Sequence, residues 1–237
     1  MKATVAEKRD VAKGTLFVLF AVDGYPDYRP GSYFWVELPD RGDDDEKGLR
    51  RHITLVTSPT DTSEQGVVGL CTRVRDSAFK RTLATLELGD DVEVEEPKGS
   101  FLLPEETDVP YVFVAGGIGI TVFRSMLRFI RDRRLPYEVT LVYSNRDRES
   151  TAFLDELEEL EREIPGLRVV LTMTEEPEWE GESRRIDADL LHEHVGDLGA
   201  PVFLVAGPPE MVEGVADALK TYGIPEERVL ADKFSGY

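Results

Sequence analysis

The sequence predicts a two-domain β + α/β protein: an N-terminal antiparallel Greek-key β-barrel, then a parallel five-stranded sheet covered by helices. Three observations predict it. Residues 1–103 carry short β-rich runs separated by turn residues, with one helical segment among them. From residue 111 onward the pattern changes to strand alternating with helix, which calls for a parallel sheet with both faces covered. Between the two, residues 104–110 hold two prolines and three acids with little to bury, the composition of a linker.

In the first half, residues 15–22 are almost wholly apolar and end at the punctuated loop YPDYRPG, residues 25–31. Residues 32–38 follow, rich in aromatics through Tyr33, Phe34 and Trp35. The acidic run DDDE, residues 43–46, reads as a solvated loop tip. Residues 52–57, 67–72 and 91–95 complete a set of strands at intervals that suit a closed barrel. Residues 77–86 form the helical segment, with Phe79 and Leu83 on one face and Ser77 as its cap.

The second half opens on a short apolar strand, residues 111–115, followed at once by Gly116, Gly117 and Gly119. Thr121 is expected to cap a helix over residues 121–133, whose Phe123, Met126, Leu127 and Ile130 recur at helical spacing. A glycine turn leading into a helix lets a ligand approach the backbone and offers free N–H groups and a positive dipole end, so a pyrophosphate suits it. Turns of this kind also serve packing alone, and the motif is not a complete G-x-G-x-x-G. Further strands are expected at residues 138–143, 168–172, 202–205 and 229–231, and helices at 151–163, 188–195 and 209–222. Phe153, Leu157 and Leu160 stripe the second helix; Met211, Val215, Ala218, Leu219 and Tyr222 stripe the last, which Gly223 ends. The ligand crevice of such a sheet lies at the carboxyl ends of its strands.

Composition bounds the partners. Among 237 residues, 28 lysines and arginines face 47 acids, a net charge of −19. That balance argues against nucleic acid or anionic membrane as a partner and suits a salt-rich cytoplasm. Cys71 is the only cysteine, so the chain alone builds no disulfide, cysteine-rich zinc site or iron–sulfur cluster. The N-terminus lacks the apolar core of a signal peptide, and the longest nearly apolar run, residues 111–123, is too short and glycine-rich for a membrane span. A soluble cytoplasmic protein without a metal is expected. His192 and His194 stand two apart on an expected helix, a poor metal pair and more simply a solvated face. Trp179, in the acidic loop after the third parallel strand, serves as a lid contact or as packing.

Four stretches, in order, resemble one family. RHITLVTSP at residues 51–59 is similar to R-x-[YF]-[ST]-x-x-S-x-P. DSAFKRTL and LGDDVEVEEPKGSF, between residues 76 and 101, are similar to a phosphate-side helix and a G-D-x-[VL]…P-x-G-x-F segment. AGGIGIT is like G-G-x-G-x-T-P, and AGPPEMV with the terminal KFSGY is like C-G-P-x-x-M with an F-x-G-Y ending. The chain thus resembles the ferredoxin–NADP reductase superfamily. The resemblance implies a flavin-binding barrel over residues 1–103, a linker at 104–110 and a Rossmann-like NAD(P)-binding domain over 111–237. It implies hydride transfer from NADPH or NADH to FAD, with FMN as the other candidate, and electrons passed onward to a ferredoxin, a flavodoxin or a small acceptor. The competing expectation is a catalytically weak electron-relay or regulatory subunit of a larger complex.

The same resemblance assigns residues. Arg51 would hold a flavin phosphate and Thr54 would face flavin N5, with His52, Ile53, Thr72, Val74 and Ser77 completing the flavin side. On a regular strand Arg51 and Thr54 point to opposite faces, so both reach one flavin only if the strand bends or the cofactor wraps it. Gly116, Gly117, Gly119 and Thr121 would hold the nicotinamide nucleotide's pyrophosphate, and Gly207 and Pro208 would border the nicotinamide. Tyr237, or else Phe234, would stack on the flavin ring. Ser144 and Arg146 suit a 2′-phosphate, favouring NADPH, although Arg146 can equally pair with the acids that follow it. The chain departs from the family at Ile53 in place of an aromatic, Val122 in place of a proline, and Ala206 in place of a cysteine. An acidic carrier would dock on Arg73, Arg75, Lys80 and Arg81, or on Arg124, Arg128, Arg131, Arg133 and Arg134, for which a solvated helix face is the simpler account.

Overall fold

The computed structural model of the protein describes residues 1–42 and 45–234. Two compact units emerge. Among the described residues, one comprises Met1–Leu103 together with Arg124–Phe129; the other comprises Pro104–Phe123 and residues 130–234.

The first unit is built on an antiparallel sheet of six strands among the described residues: β1 (Lys2–Ala12), β2 (Thr15–Ala21), β3 (Tyr33–Glu37), β4 (Arg50–Thr54), β5 (Val67–Arg73) and β6 (Asp91–Val94). Their order is β4-β3-β6-β1-β2-β5, and the two end strands meet where Val56 N–H donates to Gly69 O at 3.0 Å. Alternating side chains turn Val18, Phe20, Phe34, Val36, Val68 and Leu70 inward to one core, which Phe79 and Leu83 of the helix α2 (Ala78–Thr85) cover.

Three features differ from expectation. β1 was not foreseen, because Lys2, Glu7, Lys8 and Asp10 mask a strand whose Ala3 and Val5 face the core. A register shift between Val5 and Glu7 breaks its alternation as well. The strand expected at residues 52–57 instead pairs from Arg50 and leaves β3 after Thr54, since Leu55 and Val56 turn to Ser32 O and Gly69 O. A further helix, α1 (Pro59–Gln65), starts from a capping box: Ser58 Oγ accepts from Thr60 N–H, and Asp61 Oδ2 accepts from Ser58 N–H at 2.8 Å. The signal, S-P-T-D with proline at the first helical position, was present in the sequence.

The second unit alternates regularly: β7 (Tyr111–Gly116), α3 (Ile120–Arg133), β8 (Val139–Asn145), α4 (Leu154–Glu163), β9 (Leu167–Met173), α5 (Ala188–Val195), β10 (Val202–Gly207), α6 (Pro209–Tyr222) and β11 (Val229–Lys233). The sheet is parallel throughout, in the order β11-β10-β7-β8-β9. The chain leaves β7 toward β8 on one side and returns through β10 on the other, which makes the carboxyl ends of β7 and β10 the topological switch point. Val112, Val114, Val142, Phe203 and Val205 meet Leu190, Leu191, Val215 and Leu219 of α5 and α6 in one core. Thr121 is not the cap of α3. A 3-10 turn at Gly117–Gly119 runs directly into the helix, Gly119 is its N-cap, and Thr121 lies inside with its hydroxyl donating to Ile118 O at 3.0 Å. α4 begins at Leu154 instead of residue 151, because Phe153 takes a left-handed backbone (φ 63°) before it.

Candidate functional site

In the first unit, β4 sorts the predicted flavin residues by face. Cross-strand partners share a face. Arg51 pairs with Val36 and Ile53 with Phe34, on the side of the barrel core, while His52 pairs with Trp35 and Thr54 with Tyr33 on the outer side. Ile53 packs against the core, so the residue that replaces the family's aromatic is partly committed to it. On the outer side His52 lies edge-on between Tyr33 and Trp35, with ring centroids 5.4 and 5.0 Å away, and Arg50 lies 4.2 Å over the Trp35 ring.

Arg51 is buried, at 6% exposure. Its Nη1 donates to Lys47 O at 2.5 Å and to Gly48 O at 2.8 Å, which fixes the guanidinium beneath the loop that carries Asp45. Its other nitrogen, Nη2, lies 3.5 Å from Asp45 Oδ1. Asp45 Oδ2 in turn accepts from Ala78 N–H, the first amide of α2, at 2.8 Å. Ser77 caps that helix, its Oγ accepting from Lys80 N–H at 3.3 Å. The Ala78 and Lys47 N–H groups, followed by Arg51, hold the Asp45 carboxyl below the usual carboxylate range. A buried guanidinium and a helix N-terminus thus converge within the span of one carboxylate. That donor set fits a flavin phosphate. Thr72, one residue before the end of β5, lies on the same side as Val68 and Leu70, and Val74 donates its N–H to Gly14 O at 2.8 Å with its side chain exposed.

In the second unit the glycines have a packing reason. A Cβ on Gly119 would lie 2.2 Å from Ala206 O, and one on Gly116 would lie 2.2 Å from Met211 Sδ and 3.0 Å from Pro208 Cδ. Gly117 (φ 50°) and Gly207 (φ 155°) adopt backbone that other residues resist. The turn after β7 therefore nests against the turn after β10, and Gly116 and Gly119 are filled by the chain itself instead of standing open to a ligand. Gly117 and Ile118 remain partly exposed at the start of α3. Ala206 is fully buried, Pro208 is exposed, and Phe234 donates its N–H to Gly207 O at 2.8 Å, so it is held at the carboxyl end of β10. Ser144 stands beside Gly116 across the β7–β8 ladder. Arg146 is well exposed, 3.9 Å from Glu175. Tyr237 lies outside the described residues. A concavity of about 440 Å³, bordered by Pro110, Glu138, Gly166, Arg168 and Asp197, sits at the opposite, amino ends of the strands.

Other expectations are redrawn. Arg124 is not on a solvated face: at 6% exposure it donates to Val56 O at 2.7 Å, and Ser125 donates to Thr57 O at 2.6 Å. Arg128 grips Asp61. Lys80 is buried at 8% exposure and Arg81 pairs with Asp76, so neither is a freely presented docking cation. His192 faces Tyr222 and His194 faces Glu182 and Arg168, in different directions. Trp179 donates to Glu182 O and receives Arg148 over its ring, packing its own loop. Asp45 and Asp61 were missed. Asp61 had a legible cap motif, whereas nothing in DDDE distinguished its third acid.

No helix of the described residues is long and apolar enough to cross a membrane. The family model for the oxidoreductase NAD-binding domain matches residues 113–217. The chain is similar to the reductase component of propane 2-monooxygenase from Rhodococcus jostii, 26% identical, over 90% of this chain and 56% of that relative. It therefore spans little more than half of that protein. It is also similar in structure to the cytochrome P450 reductase GcoB of Amycolatopsis, with a TM-score of 0.82 and 26% identity over 99% of this chain and 70% of that one. A ferredoxin NADP+ reductase from Neisseria gonorrhoeae, 18% identical, shares the fold with a TM-score of 0.81 over 98% of both chains. The fold is thus shared with a ferredoxin NADP+ reductase, and residues 113–217 match the oxidoreductase NAD-binding domain.

Proposed function

We propose that the protein is an NAD(P)H-dependent flavoprotein reductase that passes electrons to a separate acceptor. The observation that carries this reading is the convergence of the Arg51 guanidinium and the Ala78 N–H on one anion-sized seat, in a chain whose other unit matches an oxidoreductase NAD-binding domain. Bound FAD, or FMN in its place, supplies acceptance of a hydride and release of electrons one at a time.

The chain's residues divide the remaining work between its units. Residues 1–103 bind flavin; residues 104–110 link them to the NAD(P)-binding residues 111–237. Arg51 and the start of α2 at Ser77 and Ala78 hold the flavin phosphate. Thr54 offers its hydroxyl to flavin N5, and His52, Ile53, Thr72 and Val74 border the cofactor. The backbone N–H groups at the start of α3, in the run that holds Gly116, Gly117, Gly119 and Thr121, receive the nucleotide's pyrophosphate. Gly207 and Pro208 border the nicotinamide, and Phe234 or Tyr237 covers the flavin ring until the nicotinamide arrives. Ser144 and Arg146 receive a 2′-phosphate, so NADPH is the favoured donor. The acceptor is a carrier of the ferredoxin or flavodoxin kind, and the setting is the cytoplasm, in keeping with a single cysteine, Cys71, that is buried.

An absorption spectrum of the purified protein, followed by anaerobic addition of NADPH or NADH, tests the reading. The expected result is a flavin band that bleaches rapidly. A colourless protein that takes up neither FAD nor FMN overturns it. The burial of Ala206 and the packing of Ile53 against the core favour the second reading, a slow relay subunit, which predicts a flavin band that persists after NAD(P)H is added.

A further inference from the structure

The acidic loop does more than stay hydrated. Asp45 bends back over itself, Oδ1 accepting from Lys47 N–H at 2.9 Å, and sends Oδ2 to Ala78 N–H at 2.8 Å. Ala78 opens α2, an eight-residue helix whose N-terminal amides carry the positive end of its dipole. Arg51, anchored by backbone carbonyls, brings its Nη2 to the other carboxylate oxygen. Lys80, buried on the first turn of the same helix, is pushed below the usual lysine range by burial, and then by Arg75 and Arg51. The buried Arg51 guanidinium and the amide end of α2 together make a seat suited to an anion.

We propose that Asp45 is a built-in competitor for the flavin phosphate: its carboxylate occupies the Ala78 N–H and faces Arg51, and must swing out to solvent before the phosphate is received there. The inference rests on the reading of Arg51 and α2 as the phosphate site. One N–H donor fully serves one acceptor at a time, so the carboxylate and a phosphate oxygen exclude each other at Ala78. The exchange breaks no covalent bond. A diphosphate carries more charge than one carboxylate and therefore wins, at the cost of the hydrogen bond it displaces. Asp45 thereby sets how tightly the chain keeps its flavin. The device acts only on ligands that bear a phosphate, which separates it from a general loosening of the loop.

The test uses the full chain stripped of flavin by chaotropic salt and titrated with FAD and with riboflavin, read by flavin fluorescence, in wild type, D45N, D45A and R51Q. D45N is expected to bind FAD about tenfold more tightly than wild type, with riboflavin affinity unchanged. D45A, which also lacks the bend onto Lys47, is expected to tighten FAD in the same direction. Unchanged or weaker FAD binding in both Asp45 variants, with R51Q still weakening FAD, overturns the competitor and leaves the phosphate site standing. Equal tightening of FAD and riboflavin also overturns it, since the effect is then not on the phosphate. If R51Q and both Asp45 variants all leave FAD affinity unchanged, the phosphate-site reading falls together with the competitor.

Discussion

Arg51 and Thr54 stand three residues apart on β4 and face opposite ways, Arg51 beside Val36 on the core side and Thr54 beside Tyr33 on the outer side. The strand does not bend between them, since the β3–β4 pairing runs unbroken from Tyr33–Thr54 to Glu37–Arg50. A flavin that meets both must wrap the strand. The two residues should then fail differently. R51Q is expected to weaken FAD binding at least tenfold, measured by fluorescence titration, because a charge-assisted phosphate contact is lost. T54V is expected to leave FAD affinity within about threefold and to slow flavin reduction by NADPH in stopped flow, because one neutral hydrogen bond near the reacting atom disappears. Loss of FAD affinity in T54V equal to that in R51Q would sink this division of roles.

Asp61 and Arg128 form a second test. Arg128 Nε donates to Asp61 Oδ2 at 3.1 Å and Nη2 to Oδ1, with both side chains largely buried. Burial alone would raise the Asp61 carboxyl, but the Arg128 hydrogen bonds and charge, helped by Ser58 N–H, outweigh it and hold the group below the usual carboxylate range. Because the folded value is depressed, the stabilisation is complete above the ordinary carboxylate pKa and is lost as pH falls through the depressed value. R128M should cost about 3 kcal/mol in urea unfolding at neutral pH, since it strands a buried carboxylate. D61N should flatten the acid side of the Tm-against-pH curve below about pH 4. An acid limb in D61N identical to wild type would show that the pair does not govern it.

The nested turns predict unequal effects of two similar substitutions. G119A drives a methyl into the Ala206 carbonyl, which is backbone and cannot turn aside, and should cost about 3 kcal/mol. G116A meets mainly the Met211 side chain, which can repack, and should cost about 1 kcal/mol. Urea unfolding measures both. Equal losses would mean that the contact with Ala206 does not hold the turn.

Nucleotide preference should reside at the end of β8. R146A is expected to raise the KM for NADPH about tenfold and to change the KM for NADH little, with kcat preserved for both, because an exposed guanidinium on a 2′-phosphate contributes binding alone. Equal KM changes for the two nucleotides would remove Arg146 from that role.

Much of this protein was legible in its residues alone. The regular 3.6 and 2.0 periodicities, the break at residues 104–110 and the glycine turn fix the parallel sheet, every strand of the first unit but β1 and every helix but α1, because those patterns arise from which side chains must leave water. Tertiary structure decided what depends on neighbours distant in sequence. Gly119 lacks a side chain because Ala206 lies against it, 87 positions later. Arg124, which reads as one more charge on a helix, is buried because Val56 O receives it. Asp45, one acid in a run of four, becomes distinct only when the chain folds Arg51 and Ala78 to within reach of its carboxylate. Local pattern records the solvent preference of each side chain, whereas the partner of a hydrogen bond is chosen only when the chain closes on itself.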